Sequence, residues 1–363
     1  LFTMSTKLCR RNSSFHKINE FYLPKVNLLE DYEVLQTLGE GWCSRVYLVE
    51  HHGTQSEVVL KAVLKDAATR REFFREFHYS YFLSPHQSIL KCYDVAFDSG
   101  DSYVFAQEFA PFGDLTSNIR STGLGENSAK TVANQISSAL EFMHSKELVH
   151  RDIRLDNILL FEGDVSRVKL CDFGSTRRVG ELVRKRHVWL PYVPPEICDA
   201  VYNEGYYTDP AQDVWQLAVV IFVLLTGSVP WQRADLTDPK YNEFVQWQKR
   251  KTTRIPSRFI NFSQRLLRLF RRVFDPKPET RASVREFSKY LSDKWLLRPP
   301  QKLEMENESL CYSARSNVSC QEEKDKLLAT LLTFGVETTV DRAAKRERIQ
   351  DWILSTDSAD QEK

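Results

Sequence analysis

Residues 148–161 read LVHRDIRLDNILLF, in which a polar island separates two apolar runs. Asp152 lies in this island, and Asn157 follows it five positions later. Asp172, in the segment CDFGS, comes twenty residues after Asp152. Each of these side chains alone is typical of a cap or a turn. Together, three oxygen-bearing side chains on loops beside strands suit the hard-oxygen ligands that Mg²⁺ prefers, and they predict a magnesium–nucleotide site.

The chain changes character along its length, and this change predicts its fold class. Short apolar runs separated by turn residues, such as SRVYLVEHH and EVVLKAVLK, predict strands in the first part. One helix interrupts them, because aromatic residues recur at helical spacing in FFREFHYSYF until Pro85. After Pro111, segments such as AKTVANQISSALEFMH and DVWQLAVVIFVLLTG predict helices. We therefore expect an α+β fold of two lobes, a small strand-rich lobe with one helix and a larger helical lobe.

The predicted boundaries follow the same changes in composition. We expect residues 1–28 to form a loosely held, flexible arm, because they are polar and irregular. The two lobes are predicted to span residues 29–110 and 111–297. Residues 298–363 begin with a polar, serine-rich stretch and end in short amphipathic segments, so they predict a linker and a short helical tail.

Composition excludes several other classes of protein. The 363 residues carry 50 basic and 49 acidic side chains, so charge gives no argument for a nucleic-acid partner. The longest apolar run, 217–225, is far shorter than the ~20 residues that span a bilayer, and we expect no membrane span. No apolar stretch typical of a signal peptide follows the first residues. Seven cysteines without a CxxC motif favour reduced thiols over a disulfide framework or a zinc site.

Two further features of the strand-rich part suit a phosphate site. In TLGEGWCSRVYL, Gly39 and Gly41 lie between predicted strands, where a tight loop can bring backbone amides close to phosphate oxygens. A plain hairpin is the alternative interpretation of these two glycines. Lys61 lies within the apolar strand VVLKAV, where an ammonium group is costly unless it is paired. An acidic partner is available on the next helix as Glu72 or Glu76, and we favour Glu76.

In their order and spacing, these motifs resemble those of the eukaryotic protein kinases from about residue 32 to residue 297. The matching positions are Gly39, Gly41, Lys61, Glu76, His150-Arg151-Asp152, Asn157, Asp172-Phe173-Gly174, Pro194-Pro195-Glu196, Asp213 and Arg281. The segments YVFAQEFAPFGDL, LVHRDIRLDNILLF and RVKLCDFGSTRRVG are similar to those of the Src-homology-3-binding kinase family, a group of cytosolic serine/threonine kinases. The resemblance implies a cytoplasmic, monomeric enzyme that uses ATP and Mg²⁺ and acts on protein substrates.

The resemblance also implies a role for each matching residue. Asp152 would accept or orient the proton of the substrate hydroxyl, and Asn157 and Asp172 would hold magnesium. Lys61, braced by Glu76, would position the α- and β-phosphates. Other residues would cover the phosphates, wall the adenine pocket, offer backbone groups to the adenine or reach the ribose: Leu38, Gly39, Glu40, Gly41, Val46, Val59, Glu108, Ala110, Asp114 and Leu159.

Three positions depart from the family pattern. Ser44 replaces the third glycine of the phosphate loop, and Trp189 replaces a threonine that bonds the catalytic loop. Arg154 replaces a catalytic lysine, and a planar guanidinium is not interchangeable with an ammonium. We favour an active serine/threonine kinase, with a pseudokinase scaffold and a small-molecule phosphotransferase as alternatives. Some tyrosine kinases also carry arginine at this position, so the serine/threonine specificity rests on the resemblance.

The segment 172–196 has hydroxyl groups only at Ser175, Thr176 and Tyr192, none of them at the usual mid-loop site. Basic side chains are concentrated there instead, at Arg177, Arg178, Arg184, Lys185 and Arg186. Our hypothesis is that the segment is not switched by its own phosphorylation, and that the basic residues attract acidic or already phosphorylated substrates. The alternative is a solvated basic loop.

Overall fold

The computed structural model of the chain describes residues 16–41, 43–185, 190–200 and 205–297. Expectations for Arg186, for Trp189 and for the linker and tail after residue 297 fall outside the described residues. Within the described ranges, no helix is long and apolar enough to cross a membrane.

The strand-rich lobe is built on a five-stranded antiparallel sheet with the strand order β1-β2-β3-β5-β4. The strands are β1 (Tyr32–Glu40), β2 (Ser44–His51), β3 (Glu57–Leu64), β4 (Cys92–Ser99) and β5 (Ser102–Gln107). A short helix, α1 (Leu28–Asp31), precedes the sheet, and α2 (Arg70–Leu83) connects β3 to β4. Lys61 lies on the central strand, paired with Val46 on one side and with Phe105 on the other.

Helix α2 is fixed by its first turn and by its aromatic face. The Thr69 side chain accepts the Glu72 N–H and the Glu72 carboxylate accepts the Thr69 N–H, so the helix begins with a capping box. Phe73, Phe74 and Phe77 are buried within a cluster that includes residues of the sheet. The predicted aromatic helix is therefore present, and its apolar face packs on the sheet.

The second lobe is mainly helical. Its helices are α3 (Leu115–Asn118), α4 (Gly125–His144), α5 (Pro195–Cys198), α6 (Pro210–Thr226), α7 (Pro239–Gln248) and α8 (Gln264–Val273). Three small antiparallel sheets accompany them, which pair β6 (Leu148–Val149) with β9 (Arg177–Arg178), β7 (Ile158–Leu160) with β8 (Val168–Leu170), and β10 (Leu182–Arg184) with β11 (Gly205–Tyr207). The predicted α+β fold of two lobes is confirmed.

Helix α6 is the centre of the helical lobe, because every residue from 211 to 225 is buried. The Asp209 side chain caps its first turn, and Pro210 occupies a position that needs no N–H donor. Gly227 ends the helix in the left-handed region at φ 73°, and a side chain there would overlap the carbonyl of Ser121. A helix buried on all sides is a rigid support for the loops that contact it.

The N-terminal segment, residues 16–28, differs from the loosely held arm that the sequence predicts. Leu23 is buried in the aromatic cluster of α2. The Val26 N–H donates to the Asp98 carbonyl, and the Asp98 N–H donates to the Pro24 carbonyl, each at 2.9 Å. The polar composition was misleading because only a few spaced apolar residues make the contacts. The correction applies to residues 16–28, since residues 1–15 lie outside the description.

An ion pair with a buried guanidinium ties α5 to the end of the helical lobe. The Arg281 guanidinium donates two hydrogen bonds of 2.9 Å to the Glu196 carboxylate. It also donates to the Ala211 carbonyl at 2.9 Å and lies over the Trp215 ring. The Arg281 side chain is fully buried, and the Glu196 carboxylate stabilises its positive charge there.

We expect Glu196→Gln to lower the free energy of unfolding by about 3 kcal/mol, because it leaves a buried guanidinium without a carboxylate. Urea unfolding measures this change. Glu279→Gln, which removes an exposed carboxylate from the same region, should cost less than about 0.5 kcal/mol. Equal unfolding midpoints for the two variants would contradict the importance of the pair.

Candidate active site

The loop that carries Asp152 is held by one carboxylate of α6, that of Asp213. Asp213 is fully buried, and its oxygens accept the backbone N–H groups of His150 at 2.9 Å and Arg151 at 2.7 Å. The His144 ring lies 2.9 Å from the same carboxylate. Arg151 has φ 73°, a strained value for a residue with a side chain, and its N–H bond to Asp213 holds it there. Asp213 therefore fixes the backbone that presents Asp152.

Asp152 and Asn157 are brought together, as their spacing suggests. Asn157 Nδ2 donates to the Asp152 carboxylate at 2.9 Å and to the Asp152 carbonyl at 2.8 Å. The Cys171 N–H donates to the Asn157 carbonyl at 3.0 Å, just before Asp172 in the chain. The loop of Asp152 and the loop of Asp172 are therefore connected through Asn157.

Arg154 lies beside Asp152. Its Nε is 3.6 Å from Asp152 Oδ1, and its Nη1 is 3.4 Å from Asp156 Oδ2. Burial raises the pKa of Asp152 above the ordinary value, and the Arg154 guanidinium partly opposes this rise. Arg154 therefore favours the ionised form of the Asp152 carboxylate.

The Lys61 ammonium lies between two carboxylates. Its Nζ is 2.6 Å from Glu76 Oε1 and 3.1 Å from Asp172 Oδ1. Burial lowers the pKa of Lys61, but Asp172 and Glu76 outweigh burial and raise it above the ordinary value. Burial alone would raise the pKa of Asp172, yet Lys61 holds it below the ordinary value. Glu72, the other candidate partner, caps α2 instead.

The connection between the lobes provides backbone groups for a planar ligand. Glu108 Oε1 lies 2.5 Å from Lys169 Nζ and accepts the Lys91 N–H at 2.5 Å. These contacts fix the backbone at Glu108. Among the described residues, the Glu108 carbonyl and the Ala110 N–H take part in no hydrogen bond, so both can serve the edge of a base.

The walls of the cleft carry the predicted apolar residues. Val59 is buried on β3, and Val46 on β2 and Leu159 on β7 are half-buried. Leu38 on β1 is 39% exposed, so its side chain offers apolar surface that a bound base could cover. Asp114 also borders this region, where its carboxylate caps α3 by accepting the Ser117 N–H.

The glycine loop leaves room where phosphates would lie. The Gly41 N–H donates to the Ser44 carbonyl at 2.8 Å, which closes the turn. A Cβ added to Gly39 would meet no atom within 4 Å, so packing within the protein does not explain the glycine there. The Glu40 carboxylate accepts a hydrogen bond from Arg45 across the two strands. Ser44 begins strand β2, so its position does not need a glycine conformation.

Three of the functional contacts were not found by sequence reasoning. They are the Lys169–Glu108 pair, the His144–Asp213 contact, and the hydrogen bonds of Gln216 to the Ile153 N–H and the Arg151 carbonyl. Lys169 carried a usable signal, because it lies within the apolar strand VKL as Lys61 lies within β3. His144 carried none, since polar residues at the ends of helices are common, and Gln216 lies in the interior of α6.

The basic residues after Asp172 divide into two groups. Arg177 donates to the carbonyls of Gly174 and Thr176, and Lys185 donates to the carbonyls of Cys198 and Ala200. These two cations hold the segment itself. In contrast, Arg178 and Arg184 are exposed.

The sequence of the chain is similar to those of known proteins. Residues 32–296 match the family model described as the protein kinase domain. The chain therefore belongs to the protein kinase family.

Within this family, the chain is similar to particular serine/threonine-protein kinases. The chain is 41% identical over 356 residues to the serine/threonine-protein kinase meng-po of Drosophila melanogaster. The aligned residues cover 94% of this chain and 78% of that protein. It is 42% identical over 276 residues to the serine/threonine-protein kinase SBK1 of Danio rerio, with 76% and 72% covered. The mouse SBK1 kinase is 41% identical over 266 residues, with 73% and 64% covered. The resemblance to the Src-homology-3-binding kinases is confirmed.

Proposed function

We propose that this kinase transfers the γ-phosphate of ATP to serine and threonine hydroxyls of protein substrates. One observation carries the proposal. The same ammonium, that of Lys61, contacts both Glu76 on α2 and Asp172 next to the catalytic loop. These contacts assemble the phosphate-positioning and metal-binding groups in one conformation. The names of the relatives support serine and threonine as the acceptors.

The residues present fit ATP and Mg²⁺. Asp172 has a lowered pKa and offers an ionised carboxylate. Asn157 uses its Nδ2 for Asp152, which leaves its side-chain oxygen for a cation. Both are the hard oxygen ligands that Mg²⁺ prefers, and the ion would neutralise charge on the phosphates. Lys61 would bind the α- and β-phosphates, and the free backbone groups of Glu108 and Ala110 would hold the adenine.

Asp152 is the proposed acceptor of the substrate hydroxyl proton. Asn157 fixes its rotamer, so one carboxylate oxygen is held and the other faces Arg154. Arg154 would favour the ionised form of this carboxylate against its burial and bring positive charge to the transferring phosphate. The charge of the usual lysine is thus retained.

A pseudokinase scaffold is the alternative to this proposal. Ser44 and Arg154 motivated it from the sequence, together with Trp189, which lies outside the described residues. Ser44 fits the strand it begins, and Arg154 keeps a cation beside Asp152. These two positions therefore favour transfer over a scaffold. A cytoplasmic location and a monomeric state are also proposed, on the family resemblance alone.

Phosphate transfer is the direct test. We expect the purified chain, with ATP, Mg²⁺ and a degenerate peptide library, to phosphorylate serine and threonine. Asp152→Asn should lower the rate at least about 100-fold, because it removes the proton acceptor while retaining the shape. Mass spectrometry of the peptides measures both results. Transfer by neither protein, with both shown to be folded, would favour the scaffold, and phosphotyrosine would overturn the assigned specificity.

The pH dependence tests the role of Arg154. Asp152 must be ionised to accept a proton, so activity falls as the pH drops through its pKa. Because Arg154 lowers this pKa, Arg154→Met should raise it and move the acidic limb of kcat to higher pH. Arg154→Lys keeps a positive charge and should leave the limb close to that of the wild type. Rate measurements across pH would contradict this role if the Met and Lys variants shared one limb.

We further propose that Arg178 and Arg184 favour acidic or already phosphorylated substrates. Both side chains are exposed on the segment that follows Asp172, and the Arg178 guanidinium lies 4.0 Å from the exposed Glu147 carboxylate. Guanidinium groups suit carboxylates and phosphates because of their planar arrangement of donors. Arg177 and Lys185 are excluded from this role, since they bond carbonyls of their own chain.

We expect the double variant Arg178→Gln plus Arg184→Gln to lower kcat/KM for an acidic peptide about fivefold, from two exposed pairs worth about 0.5 kcal/mol each. The rate with a neutral peptide should change little, and added salt should reduce the difference. Lys251→Gln plus Arg254→Gln removes the same charge from another surface and is the control. Equal losses for the acidic and the neutral peptide would leave only a solvated basic loop.

A further inference from the structure

The N-terminal segment contacts the helix that carries Glu76. The Phe21 ring packs edge-on against Phe74 at 4.8 Å and against Phe77 at 5.9 Å between centroids. Arg70 at the start of α2 donates to the Phe21 carbonyl at 2.9 Å and lies over the Phe74 ring. Offset and edge-on ring pairs of this kind fix geometry as well as burying apolar surface. The segment is therefore packed on α2 through a specific site.

Both ends of the segment are attached elsewhere. Near its C-terminal end, Pro24 and Val26 share two backbone hydrogen bonds with Asp98 on β4. Near its N-terminal end, His16 Nε2 lies 3.9 Å from the Glu147 carboxylate, in the helical lobe between α4 and β6. Ile18 packs against the large hydrophobic core and the aromatic cluster of α2 at once. Phe21 is thus held between two attachments while it contacts α2.

The position of α2 decides whether the Lys61 pair is closed. Glu76 lies on α2 between Phe74 and Phe77, the two rings that Phe21 contacts. A shift or rotation of the helix that separates these rings from Phe21 also moves the Glu76 carboxylate, which lies 2.6 Å from Lys61. Because Glu76 and the two rings that Phe21 contacts belong to one helix, the contact acts on the ion pair through the position of α2.

We propose that residues 16–28 are a positioning element of the kinase, in which Phe21 holds α2 so that Glu76 stays paired with Lys61. The inference rests on the proposed function for its effect on the rate. Phe21 touches no reacting group and is a positioning residue. The functional unit accordingly begins before residue 29, where the sequence placed the start of the strand-rich lobe.

The test compares two neighbouring aromatic residues in the full chain. Phe21→Ala removes the ring that contacts α2, whereas Tyr22→Ala removes a ring that is 77% exposed. Amide hydrogen exchange of α2 is measured, with the buried helix α6 as the internal reference. In the same proteins, kcat and the KM for ATP are measured. Phe21→Leu, which restores an apolar side chain, is the conservative variant.

We expect Phe21→Ala to raise exchange in α2 but not in α6, and to lower kcat about fivefold or more. Tyr22→Ala should leave both unchanged, and Phe21→Leu should recover most of the activity. Exchange in α2 equal to that of the wild type would overturn the inference. So would a rise shared equally with α6, or a kcat equal to that of Tyr22→Ala, because Phe21 would then serve stability alone. A wild type without transfer would contradict the proposed function, while exchange in α2 would still decide whether Phe21 holds the helix.

Discussion

The charge on Lys61 is the constraint on which the rest of the site depends. A buried ammonium is tolerated only with close opposite charge, and here two carboxylates provide it. Glu76 belongs to α2 of the first lobe, and Asp172 follows β8 of the second. Because one cation needs both, the strand-rich lobe, its helix and the loop that carries Asp172 have to adopt a single arrangement.

The second lobe reaches this arrangement through Asp213. Its carboxylate replaces the missing backbone partners of His150 and Arg151, and it stands on a helix buried on all sides. Asn157 extends this connection, because its side chain donates to the Asp152 carboxylate and its carbonyl accepts the Cys171 N–H. The groups that would orient the substrate hydroxyl and the cation are thus connected to one core helix.

The fold class, and the candidate residues that the structure brings together at Asp152, could be predicted from the sequence for a physical reason. Strand runs, helical periodicity and motifs such as HRD and DFG are local patterns, and each can be recognised within a few residues. The N-terminal segment could not be found in this way. Its inward residues Ile18, Phe21 and Leu23 are spaced by three and two positions, which matches neither a strand nor a helix.

Long-range pairs set the other limit. Lys61 and Lys169 are both lysines within apolar strands, and from sequence alone they predict the same thing, a buried cation in need of a partner. Their partners differ completely, since Lys169 pairs with Glu108, 61 positions away, at the connection between the lobes. In the proposed function, Lys61 would serve phosphates, whereas Lys169 fixes the backbone at Glu108, a distinction that only the folded chain makes.

The segment after Asp172 shows how a cationic loop can be ordered without a phosphate. Arg151 donates to the Ser175 carbonyl and the Tyr206 hydroxyl, each at 2.8 Å, and Arg177 donates to two further carbonyls of the same turn. Pairing of β10 with β11 then holds the middle of the segment. Arg151 and Arg177 thus donate to neutral acceptors of the segment, and Arg177 also lies 3.7 Å from the Glu181 carboxylate. These contacts fit the hypothesis that the segment is not switched by its own phosphorylation, which stays a prediction.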